Sequence, residues 1–423
     1  MQNDVKRGRV ALLLPLGTLD TLSSVRDGIV LLAQHGFLVE VYVLHNSRYP
    51  MPHFNDPMIS VIVNQSSIFS RGHLELPKWL LGRGSKFIQR LYRWLVFNFY
   101  GGLWRNLFFN RRLQKRHAEI PYICFIGAEP EGLCDAVRYA SLLRVPFAYW
   151  SLELLFTDEI KNIYEGVLKQ EEIIKSQQAT FTIIQDVWRA QALINENNLD
   201  PARIIMVPNA PMGRARRHQS DFLRRRYKIA DERKIVLCAG SLKSWWAMSD
   251  EILEAAAHWP DKYVLVMHSR QKYSYRYLNS LSRKVNSDRV IISHDPLTSA
   301  EFRSLIDSAD VGIAFYRHLP HDKAVRNVGK NIKILGLSSG KVSDYLQSGL
   351  PVIVNECIGL SEVIESYNCG ICVTDPHRIT EALSTIFSRY DYYVENACRC
   401  FNEKLELNRN FQPVLARLEK CTL

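Results

Sequence analysis

The 423 residues contain no stretch of about 18 uncharged apolar side chains, the length that a bilayer-spanning helix needs, so an integral membrane protein is not expected. The phosphate-cradling signatures G-x-G-x-x-G and G-x4-G-K-[ST] are also missing, which argues against a Rossmann dehydrogenase and a P-loop ATPase. Asp-x-Asp occurs nowhere, so there is no paired-carboxylate motif for clamping a metal on a diphosphate. Helix-turn-helix, zinc-finger and RNA-recognition signatures are lacking too, and no nucleic-acid partner is expected.

The nine cysteines are odd in number and scattered, as suits free thiols in a reducing compartment, and the cytoplasm is the expected location. Cys369-Gly370-Ile371-Cys372 has redox or zinc spacing but alternates like a strand, and no second C-x2-C accompanies it; no metal site is expected. The basic Lys6-Arg7-Gly8-Arg9 and the apolar run after it lead into Gly17-Thr18 without a small-residue cleavage site, which reads as a first strand and not a signal peptide.

What is present is a globular composition, 47% hydrophobic and 23% charged, with length for two or three domains. The basic excess is local. Between Lys78 and His117 stand ten Lys/Arg and no acid, interleaved with ten aromatics; from Arg214 to Lys228 seven basic residues face one acid, and the remainder is net acidic. Cations attracted to lipid phosphates, with aromatics suited to the headgroup boundary, point to an anionic membrane surface as the partner of residues 78–117. A helical hairpin with an aromatic core and solvated cations is the alternative.

Apolar runs of strand length alternate with amphipathic stretches, as a doubly wound parallel sheet requires. The first series has strands at 9–14, 38–44, 59–63, 121–126, 146–150, 180–184 and 203–207. The second has them at 234–239, 263–268, 289–293, 311–315, 351–354 and 370–373. The expected division is a first α/β domain over 1–209, a linker over 210–233, a second domain over 234–400 and a helical tail, 401–423, returning to the first.

The most informative segment runs from Gly336 to Val354. Ser338, Ser339 and Gly340 would open a helix whose free N–H groups favour a phosphate, and Lys341 adds a full charge there. Asp344, one turn on, could accept hydrogen bonds from sugar hydroxyls. An ordinary capped helix with a surface Lys–Asp pair is the alternative. Glu153 and Glu129 follow apolar strands at the edge where α/β sites gather, and either could meet an acceptor or serve as a structural carboxylate. His268, Arg270 and His294 occupy similar places in the second series, and Trp245 could stack on a base or belong to the core.

Asp344-Tyr345 through Gly349, Pro351, Val352 and Ile353 resembles the donor-binding helix of GT-B-fold glycosyltransferases of the family 4 type. Val207-Pro208-Asn209, Val236 to Gly240, Ser308 to Ile313 and Gly359 to Ile364 resemble further elements of that family, in order. The resemblance implies two Rossmann-like domains facing across a cleft and transfer, with retention, from a nucleotide diphosphate sugar to a lipid-linked or cell-surface glycan. No cofactor is implied beyond that donor. The expected location is then the inner membrane face.

Of the family's acidic pair Glu-x7-Glu, the second position falls on Asp344 and the first on Gly336. Its phosphate-binding Arg falls on Ser241 and its Lys on Trp246, so Lys341 and Lys243 are the expected replacement cations. Lys341, Asp344 and Glu153 are the candidate catalytic residues. Ser338, Ser339, Gly340, Lys341, Asp344, Ser241, Lys243 and Glu362 are the candidate donor contacts. A sugar-nucleotide epimerase of the same fold and a non-catalytic glycan-assembly partner are the other functional classes.

Overall fold

A computed structural model describes residues 7–14, 19, 22–45, 53–65, 103–160, 163–269, 277, 281, 288–317 and 329–421. Residues 78–102 of the basic-aromatic segment, and Arg270, lie outside the described residues.

The strands of the first sheet are β1 (Arg9–Leu14), β2 (Leu38–His45), β3 (Ile59–Gln65), β4 (Tyr122–Ala128), β5 (Phe147–Trp150), β6 (Thr182–Ile184) and β7 (Ile204–Met206). They are ordered β3-β2-β1-β4-β5-β6-β7. The second sheet holds β8 (Lys234–Ala239), β9 (Tyr263–His268), β10 (Val290–Ser293), β11 (Val311–Ala314), β12 (Val352–Asn355) and β13 (Gly370–Val373) in the order β10-β9-β8-β11-β12-β13. Every pairing is parallel. Strands with helices on both faces are buried on both sides, which is why β1, β4 and β9 read as unbroken apolar runs. The two doubly wound sheets are those the alternating pattern predicts.

In each sheet the strand order reverses once, between β1 and β4 and between β8 and β11. Neighbouring loops leave in opposite directions at such a point and open a crevice at the carboxyl ends of the strands. The second crevice is overlain by the helix Gly340–Gln347. Its Tyr345 lies fully buried against Gly312 of β11, and the Tyr345 hydroxyl meets the Ala239 N–H at 2.7 Å. That aromatic anchor fixes the helix, and Lys341 with it, over the ends of β8 and β11.

The stretch 210–233, expected as a linker, is packed in the structure. Ala210, Ala215, Leu223 and Ile229 belong to the second domain's core, and Arg217 and Arg224 donate to backbone carbonyls. Those two cations act within the fold. At the other end, Phe401 and Leu405 still pack in the second domain, whereas Leu407, Phe411, Val414, Leu415 and Leu418 pack on the first. Phe411 comes within 6.0 Å of Trp150, ring centre to ring centre, and a β-carbon at Gly28 would stand 3.0 Å from Phe411.

A Gly312→Ala substitution places a methyl group inside the volume of the Tyr345 ring. We expect a loss of about 1–3 kcal/mol from overpacking, seen as a lower urea midpoint at unchanged slope.

Candidate functional site

β8 ends at Ala239, and Gly240 turns the chain with φ of 131°, its N–H donating to the His268 carbonyl at 2.8 Å. β11 runs on to Tyr316, whose backbone is bonded on both sides by the Asn355 side chain. Lys341 projects between these loops. Its ammonium stands 4.8 Å from the centre of the Tyr316 ring, and a β-carbon at Gly240 would lie 3.7 Å from its Nζ. Burial holds the Lys341 pKa below the ordinary lysine value, with the nearby Cys238 pulling weakly the other way. The cation is half-buried and rests on a π face.

The helix start is built from hydrogen bonds that the sequence does not reveal. The Ser339 Oγ accepts from the Val342 N–H at 3.2 Å and is bonded to the Tyr316 hydroxyl. Ser338 Oγ donates to the Leu335 carbonyl at 2.7 Å. Both hydroxyls therefore shape the loop, and the N–H groups at Gly340 and Lys341 are what the helix start offers an anion. Asn209 spans the domains at this point: its Nδ2 donates to the Ser338 carbonyl at 3.0 Å and its Oδ1 accepts from Ser24 Oγ at 3.0 Å. Asp344 is half-buried on the following turn, beside Tyr345.

The other candidates are dispersed around this centre. Ser241 Oγ accepts from the Lys243 N–H at 3.2 Å, and the exposed Lys243 ammonium lies 5.4 Å from the Trp245 ring. Trp245 is 49% exposed and so is no core residue, while Trp246 packs partly against the second core. The exposed Glu362 carboxylate accepts from the Gly359 N–H at 2.5 Å and thereby caps its own helix. His268 is buried and bonded to Ser293, and His294 is exposed. β13 carries Cys372, and no group of three or more metal-ligating side chains occurs among the described residues.

Across the crevice the first domain presents Glu153. Its N–H and that of Leu152 both donate at 2.9 Å to Glu129, a residue held at φ of 60° just after β4, and its carboxylate accepts from Asn331 of the second domain. A non-glycine residue at positive φ stores strain of about 1–3 kcal/mol, which clusters at functional sites. Glu153 also lies within electrostatic reach of Tyr316. Lys341 thus rests on the Tyr316 ring, and Glu153 of the other domain adds to the rise in the Tyr316 pKa, of which burial is the main cause. Tyr316, Asn331 and Arg189 were missed in the sequence; the position of Tyr316 just past a switch-point strand was the available signal.

Gly336 has a physical reason for being glycine. Its φ is 52°, and a β-carbon there would overlap the Asp186 carboxylate. Asp186, a first-domain residue, accepts from the N–H groups of Leu337 at 2.6 Å and Arg189 at 2.9 Å. Burial raises its pKa against those two hydrogen bonds. The position that lacks an acid in the sequence has a carboxylate beside it in space.

Residues 256–415 match the family model for the glucosyltransferase 3-like C-terminal domain. No curated protein matches. Among solved structures, sucrose-phosphate synthase from Thermosynechococcus elongatus superposes with a TM-score of 0.64 at 12% identity, covering 98% of each chain. HepE from Anabaena, in complex with UDP and glucose, gives 0.62 at 12% identity, over 98% of this chain and 100% of that one. WaaG, a glycosyltransferase involved in lipopolysaccharide biosynthesis, gives 0.60 at 14% identity, over 97% and 98%. The fold is GT-B, and the family match together with it supports a glycosyltransferase.

A lysine with a lowered pKa binds an anion only while protonated. The Lys341 contribution to pyrophosphate affinity, read against Lys341→Met over the same pH series, is therefore expected to fall as pH rises through that lowered value, before the ordinary lysine range near about 10.4. Calorimetry in buffers of different ionisation heat should show proton uptake on binding in that window. Lys341→Met should remove both effects; an unchanged pH profile in that variant rejects Lys341 as the anion's partner.

Proposed function

We propose that this chain is a metal-independent, retaining glycosyltransferase of the family 4 type, moving a sugar from a nucleotide diphosphate sugar to a lipid-linked or cell-surface glycan. The observation that carries the reading is the half-buried Lys341 beside Gly240 at the switch point of the second sheet. Breaking the anomeric C–O bond leaves negative charge on the departing diphosphate. A fixed cation with helix N–H groups behind it stabilises that charge most as it develops, and needs no reorganisation when it does.

In this reading Lys341, the backbone of Ser338 to Gly340, Ser241 and Lys243 hold the diphosphate, and Asp344 accepts from the ribose. Glu153 faces the acceptor and the reacting sugar. Glu362 supports its loop from a distance. The HepE complex with UDP and glucose makes UDP-glucose the first donor to try. The filled space beside Gly336 favours one other reading, a non-catalytic partner that binds a nucleotide sugar without turning it over.

For the acceptor side, the helix Leu103–Glu119 supplies a supporting feature. Leu113 and Phe109 pack inward, Arg116 bonds Glu40 at 2.5 Å, and Arg111, Arg112 and Lys115 face water. Exposed cations near a lipid surface contribute on the order of 1 kcal/mol each. No helix among the described residues is long and apolar enough to cross a membrane.

Two measurements test the proposal. UDP-glucose at about 100 times its Kd should add about 2.7 kcal/mol to stability, visible as a raised Tm, and Lys341→Ala should weaken donor binding by about 2 kcal/mol, the worth of a charged hydrogen bond. Absence of any shift with UDP-, GDP-, ADP- and CMP-sugars alike contradicts a nucleotide-sugar enzyme. The chain should also sediment with anionic but not neutral vesicles, less so in salt, and Arg111→Ser with Arg112→Ser and Lys115→Ser should weaken it; equal binding to neutral vesicles contradicts the electrostatic contact.

A further inference from the structure

Arg189, on the helix Val187–Asn197 of the first domain, has 0% of its surface exposed. Its Nε donates to Gln185 Oε1 at 2.6 Å and its Nη2 to the Leu152 carbonyl at 2.9 Å, both within the first domain. The remaining bonds cross to the second domain: Nη1 donates to the carbonyls of Asn331 at 3.2 Å and Ile334 at 3.0 Å, and Nη2 to Asn331 Oδ1 at 2.9 Å. Asn331, 1% exposed, answers in kind. Its Oδ1 also accepts from the Leu154 N–H at 2.8 Å, and its Nδ2 donates to the Glu153 carboxylate.

The segment entering the Lys341 helix is held along its length by the same domain. Glu159 accepts from the Lys330 N–H at 2.8 Å, Asp158 pairs with the Lys330 ammonium, and Asp186 accepts from the Leu337 N–H at 2.6 Å. A guanidinium cannot stay dry without its partners, since removing one side of a buried charged network leaves an uncompensated charge. If the domains part, Arg189 must rehydrate and the segment 329–340 loses its fasteners.

We propose that Arg189 and Asn331 form an interdomain latch, with Asn331 a positioning residue that sets the Glu153 carboxylate against the donor helix. The latch stands on the hydrogen bonds alone, whereas the consequence for Glu153 rests on the proposed transferase reading. The donor loop and the acceptor-side carboxylate are then aligned by one contact between the domains. Aligning them is what a displacement between two bound substrates requires, because a misplacement of about 1 Å costs about a hundredfold in rate.

The test uses the full chain. Amide exchange read by mass spectrometry should accelerate about tenfold or more in 329–340 and 152–154 of Arg189→Met, with β8 and β9 unchanged, because the opening is local. Unaltered exchange in 329–340 overturns the latch. Asn331→Asp covers the case in which the first variant fails to fold: it keeps an oxygen for Arg189 and Leu154 but turns a second carboxylate on Glu153. Exchange protection should persist, UDP-glucose affinity should stay within about twofold, and donor turnover should fall about tenfold or more. The acid limb of its pH profile should move up, since adjacent carboxylates hold a proton longer. Unchanged turnover and an unmoved limb overturn the positioning role. If the unaltered chain neither binds nor turns over nucleotide sugars, the transferase reading fails by itself and the exchange comparison still decides the latch.

Discussion

The structure is organised around one half-buried cation. Lys341 stands half-buried between Gly240 and the face of Tyr316, and burial lowers its pKa. A lysine held in that condition gains most from an incoming anion, because the anion restores the electrostatic stabilisation that burial removed. Each surrounding feature maintains the arrangement. Tyr345 pins the helix through the Ala239 N–H, Ser339 ties the helix start to Tyr316, and Asn355 fixes Tyr316 in turn.

The second organising contact is between domains. Arg189, Asn331, Asp186 and Asn209 join the first domain to the loop that precedes Lys341, through backbone carbonyls and N–H groups as much as through side chains. Backbone partners make such a contact tolerant of sequence change in the loop yet intolerant of its displacement. The Gly336 position illustrates this: it carries no side chain because Asp186 occupies the space. Local donor-site geometry in the second domain is thereby set partly by a residue 150 positions earlier in the chain.

Much of the architecture was legible in the sequence because burial on both faces of a parallel sheet leaves continuous apolar runs. Val352 to Asn355 and Tyr263 to His268 are read that way with little ambiguity. The Lys341 helix was legible from its Ser-Gly start and the turn at Gly349. Side-chain destinations were not. The Ser338 and Ser339 hydroxyls bond within the loop and its helix start, and the Glu362 carboxylate bonds the Gly359 N–H, partners that the linear pattern does not show. Arg189 and Asn331 lie 142 residues apart, and no periodicity encodes a pair at that distance. Asp186 over Gly336 is the same kind of fact: a vacancy in the linear pattern is filled from another domain.

The central claim is that the crevice at the ends of β8 and β11, beside Gly240 and Lys341, receives the diphosphate of a nucleotide. The most direct measurement is a crystal structure of the full chain with UDP. The account predicts phosphate oxygens within about 3 Å of Lys341 Nζ and of the N–H groups that open its helix. Density for UDP at another place, with Lys341 still resting on Tyr316 and no phosphate near its ammonium, would contradict it.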